Sequence, residues 1–377
     1  MGRAGAAALG PRRAWAVPSF GALVRFTRPH TIVGTAVGII SVSWVAWRDA
    51  AAEAAEAGAG AGAGGGASPS GVAFAGGLVA ALVPSLWMNV YIVGLNQVYD
   101  VDIDRVNKPT LPLASGEMSH VQAVAIVSAS AVLAMALGTA AGSPDLWWAL
   151  FGSFVLGTVY SADMPGLRWK RSPALAAACV FVVRGVIVQV GFYRHMRRVL
   201  SGAATTWWGG MMLVDWSDAS CAGEAQQGML PGAVAEAWSA EALGRGGLAG
   251  DSRTIPFACA FFILFGVVIA LFKDLPDDKG DLQHGIVSLT VRFGRGAVFR
   301  ACVLLLLGCY AAGLYMGLTD RDPARGALGA LLHVAPALAF VAHARGVDTA
   351  KHRDIARTYL RVWALFYLEY LALPFVH

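Results

Sequence analysis

The sequence predicts an all-α polytopic membrane protein, with about nine transmembrane helices around a central cavity, and three observations predict it. Of 377 residues, 56% are hydrophobic and only 14% are charged, where a soluble domain carries about 25% charge. The mean hydropathy is +0.57. Apolar runs long enough to span a bilayer, about 17–25 residues, recur along nearly the whole chain. Together these leave one polytopic membrane domain and no soluble catalytic module. The net charge of +5 is modest and forms no basic stripe outside the apolar runs, which excludes nucleic-acid binding.

Taken in order, the N-terminal segment 1–24 holds Arg3, Arg12 and Arg13, with no acid in its first nineteen residues. This is the acid-poor bias of an organelle transit peptide, and the segment is expected to be the remnant of one, with a plastid address. Residues 25–377 form the membrane domain. Its spans are expected at 31–47, 71–95, 121–140, 147–163, 173–193, 254–272, 297–317, 326–343 and 357–376. Two insertions interrupt it. The Ala/Gly tract within 48–70 has no periodic apolar face and reads as a flexible loop. The second, 199–253, carries Trp207, Trp208, Trp216 and Trp238 and reads as an interfacial loop with a short amphipathic piece at 233–243. The five cysteines include no CxxC pair, and four fall in apolar runs, as small core residues rather than metal ligands.

Nine spans divide the loops between two sides. Most Lys and Arg outside the helix interiors lie on the N-terminal side, which the positive-inside rule places toward the cytoplasm or, in a plastid, the stroma. Two acidic clusters lie on that side as well, since four crossings separate them. The first is Asn96, Asp100 and Asp104 in NQVYDVDIDRVNKP; the second is Asp274, Asp277 or Asp278, and Asp281 in KDLPDDKGD. Residues about four apart share one face of a helix, so each cluster stacks its oxygens in a row. Carboxylates at a membrane helix centre cost about 2.5–3.5 kcal/mol apiece. Clusters abutting two membrane helices on one side therefore suit a shared task better than solvated loop acids paired with Arg105, Lys108, Lys273 and Lys279.

That task is to hold hard divalent cations. Mg²⁺ takes one or two protein carboxylates together with substrate phosphates, so two facing clusters would grip a diphosphate and neutralise charge on its departure. A leaving group on an allylic carbon yields an isoprenoid carbocation, which an electron-rich aromatic ring captures. Apolar helices would solvate the prenyl tail and exclude water from the cation.

These motifs resemble the paired Asp-rich signatures of the UbiA superfamily of intramembrane aromatic prenyltransferases, and within it the plant and algal homogentisate prenyltransferases. The resemblance rests on RFTRPHTIVGTAVGIISVS (25–43), NKPTLPLASGEMS (107–119), PGLRWKR (165–171), RGVIVQVGFYRHM (184–196), VIALFKDLPDDKGD (268–281) and WALFYLEYLALPFV (363–376). It runs from about Arg25 to the C-terminus apart from the two insertions. It implies Mg²⁺ as cofactor and Mg²⁺-diphosphate binding by Asn96, Asp100, Asp104, Asp274, Asp277 and Asp281, while Asp278 sits where the pattern varies. Asp100, Asp104, Asp274 and Asp277 become the catalytic acids. Arg105, Lys108 and Lys273 are candidates for direct diphosphate contact. The implied partners are a prenyl diphosphate, homogentisate and the lipid bilayer; no motif sets an oligomeric state.

Homogentisate brings a carboxylate that a cation must meet, and Arg28, Arg168 and Lys170 are candidates by position. Arg184, inside the fifth span, is expensive unless paired; it serves either the substrate or a structural pair with an acid such as Glu369. Tyr160 and Asp163, ending the fourth span, are candidates to orient the aromatic substrate, with helix-end hydrogen bonding as the plainer role. His30 and His195 read as packing or interfacial residues rather than catalytic bases. The expected reaction transfers a phytyl or related polyprenyl group to homogentisate with decarboxylation, giving a methyl-prenyl-benzoquinol for tocopherol or plastoquinone synthesis. The alternatives are transfer to another acceptor, such as chlorophyllide or 4-hydroxybenzoate, and a non-catalytic cation or quinone transporter.

Overall fold

A computed structural model of the chain describes residues 18–60, 68–202, 253–275 and 289–376, and among these every regular element is helical. The first helix, α1 (Phe20–Thr27), starts where the Ala22 N–H donates to Ser19 Oγ (3.2 Å) and stops at Arg28, whose backbone is left-handed at φ 49°. Pro29 then restarts the helix, its ring holding φ near the helical value. The new helix, α2 (Pro29–Gly60), has 32 residues, about 48 Å at 1.5 Å per residue, against a hydrocarbon core of about 30 Å. It overruns the expected end of the first span, because residues 48–60 are helical and not loop. Ala and Glu in AAAEAAEA are among the strongest helix formers, so backbone propensity continues the helix where the apolar face gives out. Residues 61–67 lie outside the described residues.

The chain continues with α3 (Gly71–Tyr99), capped by Ser70 and apolar around its circumference. At Asp100 (φ −110°, ψ 15°) it bends into α4 (Val101–Asn107), then α5 (Pro112–Ser115). A capping box starts α6 (His120–Ala140), with Ser119 N–H donating to Gln122 Oε1 (2.7 Å) and Gln122 N–H to Ser119 Oγ (3.3 Å). Ser143 caps α7 (Pro144–Ser161). The next rod, α8 (173–200), has an α-helical start Pro173–Phe181, a π-helical middle Val182–Gly191 and an α-helical end Phe192–Leu200. Then come α9 (Thr254–Asp274), α10 (Leu289–Phe293), α11 (Arg295–Leu318), α12 (Pro323–Ala344) and α13 (His352–Ala372). The expected amphipathic piece at 233–243 lies outside the described residues.

The long helices α2, α3, α6, α7, α8, α9, α11, α12 and α13 follow the nine expected spans in order. Seven are long and apolar enough to cross a membrane by length and composition. The other two are α7, whose 18 residues leave no window free of Pro144 and Asp145, and α13, which carries Arg353, Asp354, Arg357 and Arg361.

Helices α2, α3, α7, α8, α9 and α13 form a ring in which each touches the next, with α6 outside α3 and α7 and the α11–α12 hairpin outside α9 and α13. Close approach needs small residues. A Cβ at Gly38 would stand 3.3 Å from the Tyr370 ring across the α2–α13 contact, and one at Gly185 would overlap Ile263 between α8 and α9. An ionic layer ties one rim of the ring. Tyr193 donates to Asp49 (2.9 Å), Arg197 to Glu53 (2.6 Å), and Arg194 and Arg198 both to Asp145 (2.9 Å each). His195, fully buried, meets the Gly77 carbonyl at 3.0 Å, a packing role as expected. The last turns of α8 thus cross to α2, α3 and α7 at this rim, and the opposite rim carries the acids.

Candidate active site

The last turn of α3 sets Asn96 and Asp100 on one face, and the bend at Asp100 preserves the step to Asp104, whose N–H donates to the Asp100 carbonyl (2.7 Å). Lys170 Nζ lies 2.5 Å from Asp100 Oδ2, and Arg168 Nη2 lies 3.3 Å from Oδ1. The Asn96 amide fits between them, its Nδ2 donating to Asp100 Oδ2 (3.3 Å) and its Oδ1 accepting from Lys170 Nζ (3.2 Å). One turn on, Asp104 faces Lys108 (3.6 Å) and Arg28 (4.0 Å). Among the described residues, the two non-glycines with positive φ are Arg28 (49°) and Arg168 (60°). Such backbone costs about 1–3 kcal/mol, and both instances fall on arginines that face these acids.

The site leaves buried polar atoms without hydrogen-bond partners. Asp104 is 4% exposed, and its Oδ2 and the Arg28 Nη2 are buried without a hydrogen-bond partner. Burial raises the Asp104 pKa above the usual carboxylate range, and the nearby Lys108 and Arg28 only partly oppose this. Burial also pushes Lys170 below the usual lysine range, against the hydrogen bond it donates to Asp100. A buried carboxylate oxygen and a buried guanidinium nitrogen without hydrogen bonds are groups that a metal and a polyanion, arriving together, would complete.

The other candidates separate. Arg105 lies around α4 from Asp104, exposed and paired with Asp102 (2.7 Å). Asp163 is held by Arg168 and by Arg171 (3.6 Å), so its carboxylate is already committed to cations. Tyr160 is half-buried at the end of α7 and Lys273 is exposed at the end of α9. Asp274 closes α9; its side chain, and Asp277 and Asp281, lie outside the described residues. The direction of α9 is nonetheless clear. Thr254 at its start donates to the Val376 carbonyl (2.8 Å) and accepts from Arg48 (3.0 Å), far along α2 from Arg28. Its 21 residues, about 31 Å, therefore run toward the rim that holds Asp100.

Arg184 does not pair with Glu369. That acid meets His333 Nε2 of α12 at 3.3 Å. The Arg184 guanidinium lies 5.6 Å from the Trp363 ring centroid and 5.4 Å from that of Phe366, with no carboxylate partner among the described residues. Cation–π contact is worth about 0.5–2 kcal/mol and leaves the in-plane N–H donors unspent. The π-helical backbone beneath it, of a kind frequent at functional sites, is steadied by Gln189, which donates to the Arg184 carbonyl (3.0 Å) and the Tyr370 hydroxyl (2.9 Å). Sequence reasoning missed Trp363 and Phe366, though their three-residue spacing in the last span was visible. It also missed Gln97, 1% exposed, which donates to the Phe26 carbonyl (2.8 Å) and so docks α1 and Arg28 on α3; a glutamine inside an apolar run was its signal.

A family model described as the UbiA prenyltransferase family matches residues 54–217 and 228–366. The chain belongs to this family. Relatives of this UbiA member include homogentisate phytyltransferase 1, chloroplastic, of Arabidopsis thaliana, 38% identical over 95% of the chain and 76% of the relative. Homogentisate geranylgeranyltransferase of Hordeum vulgare is 34% identical over 93% and 71%, and homogentisate phytyltransferase of Synechocystis is 33% identical over 93% of each. The fold matches a solved UbiA homologue from Archaeoglobus fulgidus bound to DMAPP and Mg²⁺, with TM-score 0.51, 16% identity and coverage of 93% and 98%. It also matches a structure described as digeranylgeranylglyceryl phosphate synthase, with TM-score 0.52, 12% identity and coverage of 94% and 96%.

Proposed function

We propose that this UbiA protein transfers a phytyl or related polyprenyl group from its diphosphate to homogentisate, with release of diphosphate and CO₂, giving a methyl-prenyl-benzoquinol for tocopherol or plastoquinone synthesis. Relatives named for homogentisate, at 33–38% identity along most of the chain, support the acceptor. One structural observation carries the chemistry: Asn96, Asp100 and Asp104 face Arg28, Lys108, Arg168 and Lys170 at one rim, with a buried carboxylate oxygen and a buried guanidinium nitrogen unspent.

The donor set fits Mg²⁺. Asp104 Oδ2 is a hard oxygen without a partner, and Asn96 and Asp100 add further oxygens of the kind the ion prefers; Asp274, Asp277 and Asp281 would supply the second cluster. When bound, Mg²⁺ neutralises charge developing on a departing diphosphate. The protein's own residues do the rest. Lys170, Arg168, Lys108 and Arg28 receive diphosphate oxygens as the allylic C–O bond breaks, and the apolar walls keep water from the carbocation. Arg105 faces away from this group, so its contact with donor would need α4 to turn. Arg184, with aromatic rings beside it and donors to spare, is the best-placed cation for the acceptor's carboxylate, since Arg28, Arg168 and Lys170 belong to the group at the acid rim that takes the diphosphate.

The membrane domain is taken as 25–377, after an N-terminal targeting remnant. Chloroplast names among the relatives and the Lys/Arg excess on the acid-bearing side support a plastid membrane with the active site toward the stroma. The test is an assay of membranes containing the expressed protein with radiolabelled homogentisate, Mg²⁺ and phytyl, geranylgeranyl or solanesyl diphosphate in parallel. A labelled lipid formed with one donor and abolished by EDTA is the expected result. No lipid with any donor, from demonstrably inserted protein, would overturn the proposal.

A further inference from the structure

The side of α3 turned toward α6 carries a groove outside the group of cations that face Asp100 and Asp104. A cavity of about 440 Å³ at the acid-bearing rim is lined by Tyr99, Asp102, Arg105, Ser119 and His120. A second, of about 390 Å³, runs deeper between Tyr91, Leu95, Val127, Ser128, Ala131 and Phe154. Val98 and Tyr99 line both, so the two adjoin as one groove. Its walls follow helical spacing. Tyr91, Leu95, Val98 and Asp102 step along one face of α3 into α4, and His120, Val124, Val127 and Ala131 along one face of α6. Eleven residues of helix give about 17 Å of length, polar at the rim and apolar within the span. The apolar end is rigid, because Tyr91 stacks on Phe154 (5.0 Å) and shares a hydrogen bond with Thr158 (2.6 Å).

Charge separates this groove from the transfer site. Its one arginine, Arg105, is already neutralised by Asp102, so the polar end offers no surplus cation to a diphosphate or a phosphodiester. His120 at the rim and Ser128 deeper in the groove offer hydrogen-bonding groups. Tyr99 is the partition, its side chain lining the groove and its carbonyl accepting from Arg168 (3.5 Å), which also holds Asp100. A product too apolar to leave through water must pass sideways into lipid, and this amphipathic slot adjoins Tyr99, the residue before Asp100.

We propose that the α3–α6 groove binds a neutral-headed prenyl lipid of the prenylated hydroquinone class, with its hydroxylated ring at the His120 end and its chain along Leu95, Val127 and Ala131. The identity of that lipid rests on the proposed transfer reaction. The experiment uses the full chain in phosphatidylcholine nanodiscs and radiolabelled methyl-phytyl-benzoquinol. Saturable binding is expected, displaced by unlabelled quinol but not by phytyl diphosphate. Ala131→Phe and Val124→Trp, which fill the groove, should each weaken binding at least tenfold and relieve product inhibition to match, with the initial rate and donor KM within twofold of wild type. Because a bulky residue can disturb folding, Val124→Cys supplies a second reading: bound quinol should protect it from a membrane-permeant maleimide. Unchanged affinity in both filled variants, or no protection of the cysteine, would overturn the proposal. So would displacement by phospholipid at equal concentration, which marks ordinary lipid contact, or a donor KM that rises in step with lost quinol affinity, which marks a slot for the donor tail. If wild-type protein transfers nothing to homogentisate, the reading of the reaction falls, while saturable quinol binding and its loss in the filled variants still decide the groove.

Discussion

Removing the Asp100 carboxylate separates its structural role from its chemical one. Asp100 is 12% exposed and faces Lys170 and Arg168, 13% and 9% exposed. Breaking a buried ion pair by deleting one partner costs about 3–5 kcal/mol, because the other charge is left without compensation. In Asp100→Ala, Arg168 keeps Asp163 while Lys170 loses its only carboxylate within 4 Å among the described residues, so the loss should sit near the lower end, about 3 kcal/mol. Lys170→Met in that background removes the stranded ammonium and should recover most of it. Activity should behave differently. Loss of a group that stabilises developing charge costs about 10²–10³-fold in rate, and no change at Lys170 restores an oxygen ligand. The assay pairs thermal unfolding of purified protein with prenyl transfer at saturating Mg²⁺ for the two single variants and the double. The expected pattern is a melting temperature several degrees lower in Asp100→Ala, largely restored in the double variant, with activity lost in both. Recovery of more than a tenth of wild-type activity in the double variant would refute the reasoning, since Asp100 would then act only as the counter-ion of Lys170.

Asp274→Ala should abolish transfer and remove the Mg²⁺ dependence of donor binding; full activity in membranes would end the role given to the second cluster. Arg184→Gln should raise the acceptor KM about 10–100-fold, the worth of one hydrogen bond to a charged group at about 1.5–3 kcal/mol, and leave the donor KM alone; a matching rise in donor KM would move Arg184 to the diphosphate. The raised pKa of Asp104 favours the folded state below the usual carboxylate value, and that benefit is lost as pH rises through the raised value; the lowered pKa of Lys170 favours it above the usual lysine value and is lost as pH falls through the lowered one. Burial disfavours the charged form of both groups, so Mg²⁺ with a non-reacting prenyl diphosphate analogue should raise the melting temperature, and less so in Asp104→Asn. Activity should fall on the acid side at a higher pH than an ordinary aspartate would set, and Asp104→Glu should shift that limb; a limb unmoved in every Asp104 variant would assign it elsewhere.

Much of the site was legible because its chemistry is local in sequence. Asn96, Asp100 and Asp104 fall four apart at the end of an apolar run, and helical geometry alone puts them on one face; the structure keeps that face despite the bend at Asp100. Lys170 and Arg168 were recognised as cations, but their attachment to Asp100 spans about 70 residues and depends on how α7 returns beside α3. Arg105 shows the same limit in reverse. A cation next to Asp104 in the sequence looks like a phosphate ligand, yet it points around α4 to Asp102. Glu369 and Arg184 looked like mutual partners because both are ionisable groups inside spans, whereas α13 turns one toward His333 and lays Trp363 and Phe366 against the other.

The sequence by itself determined the fold class, the order of the nine long helices and the stretch where hard oxygen ligands gather. Span length, hydropathy and helical spacing are properties of consecutive residues, and a bilayer admits few other solutions for such runs. The continuation of α2 to Gly60 was also written locally, in helix propensity without an apolar face. Only the tertiary structure decided which charges compensate which, because pairing depends on the rotation of each helix about its axis and on close approaches such as those at Gly38 and Gly185. It left Asp104 and Arg28 incompletely satisfied at the rim, brought the donors of Arg184 beside two aromatic rings, and placed an amphipathic groove against Tyr99, features that exist only once distant segments pack together.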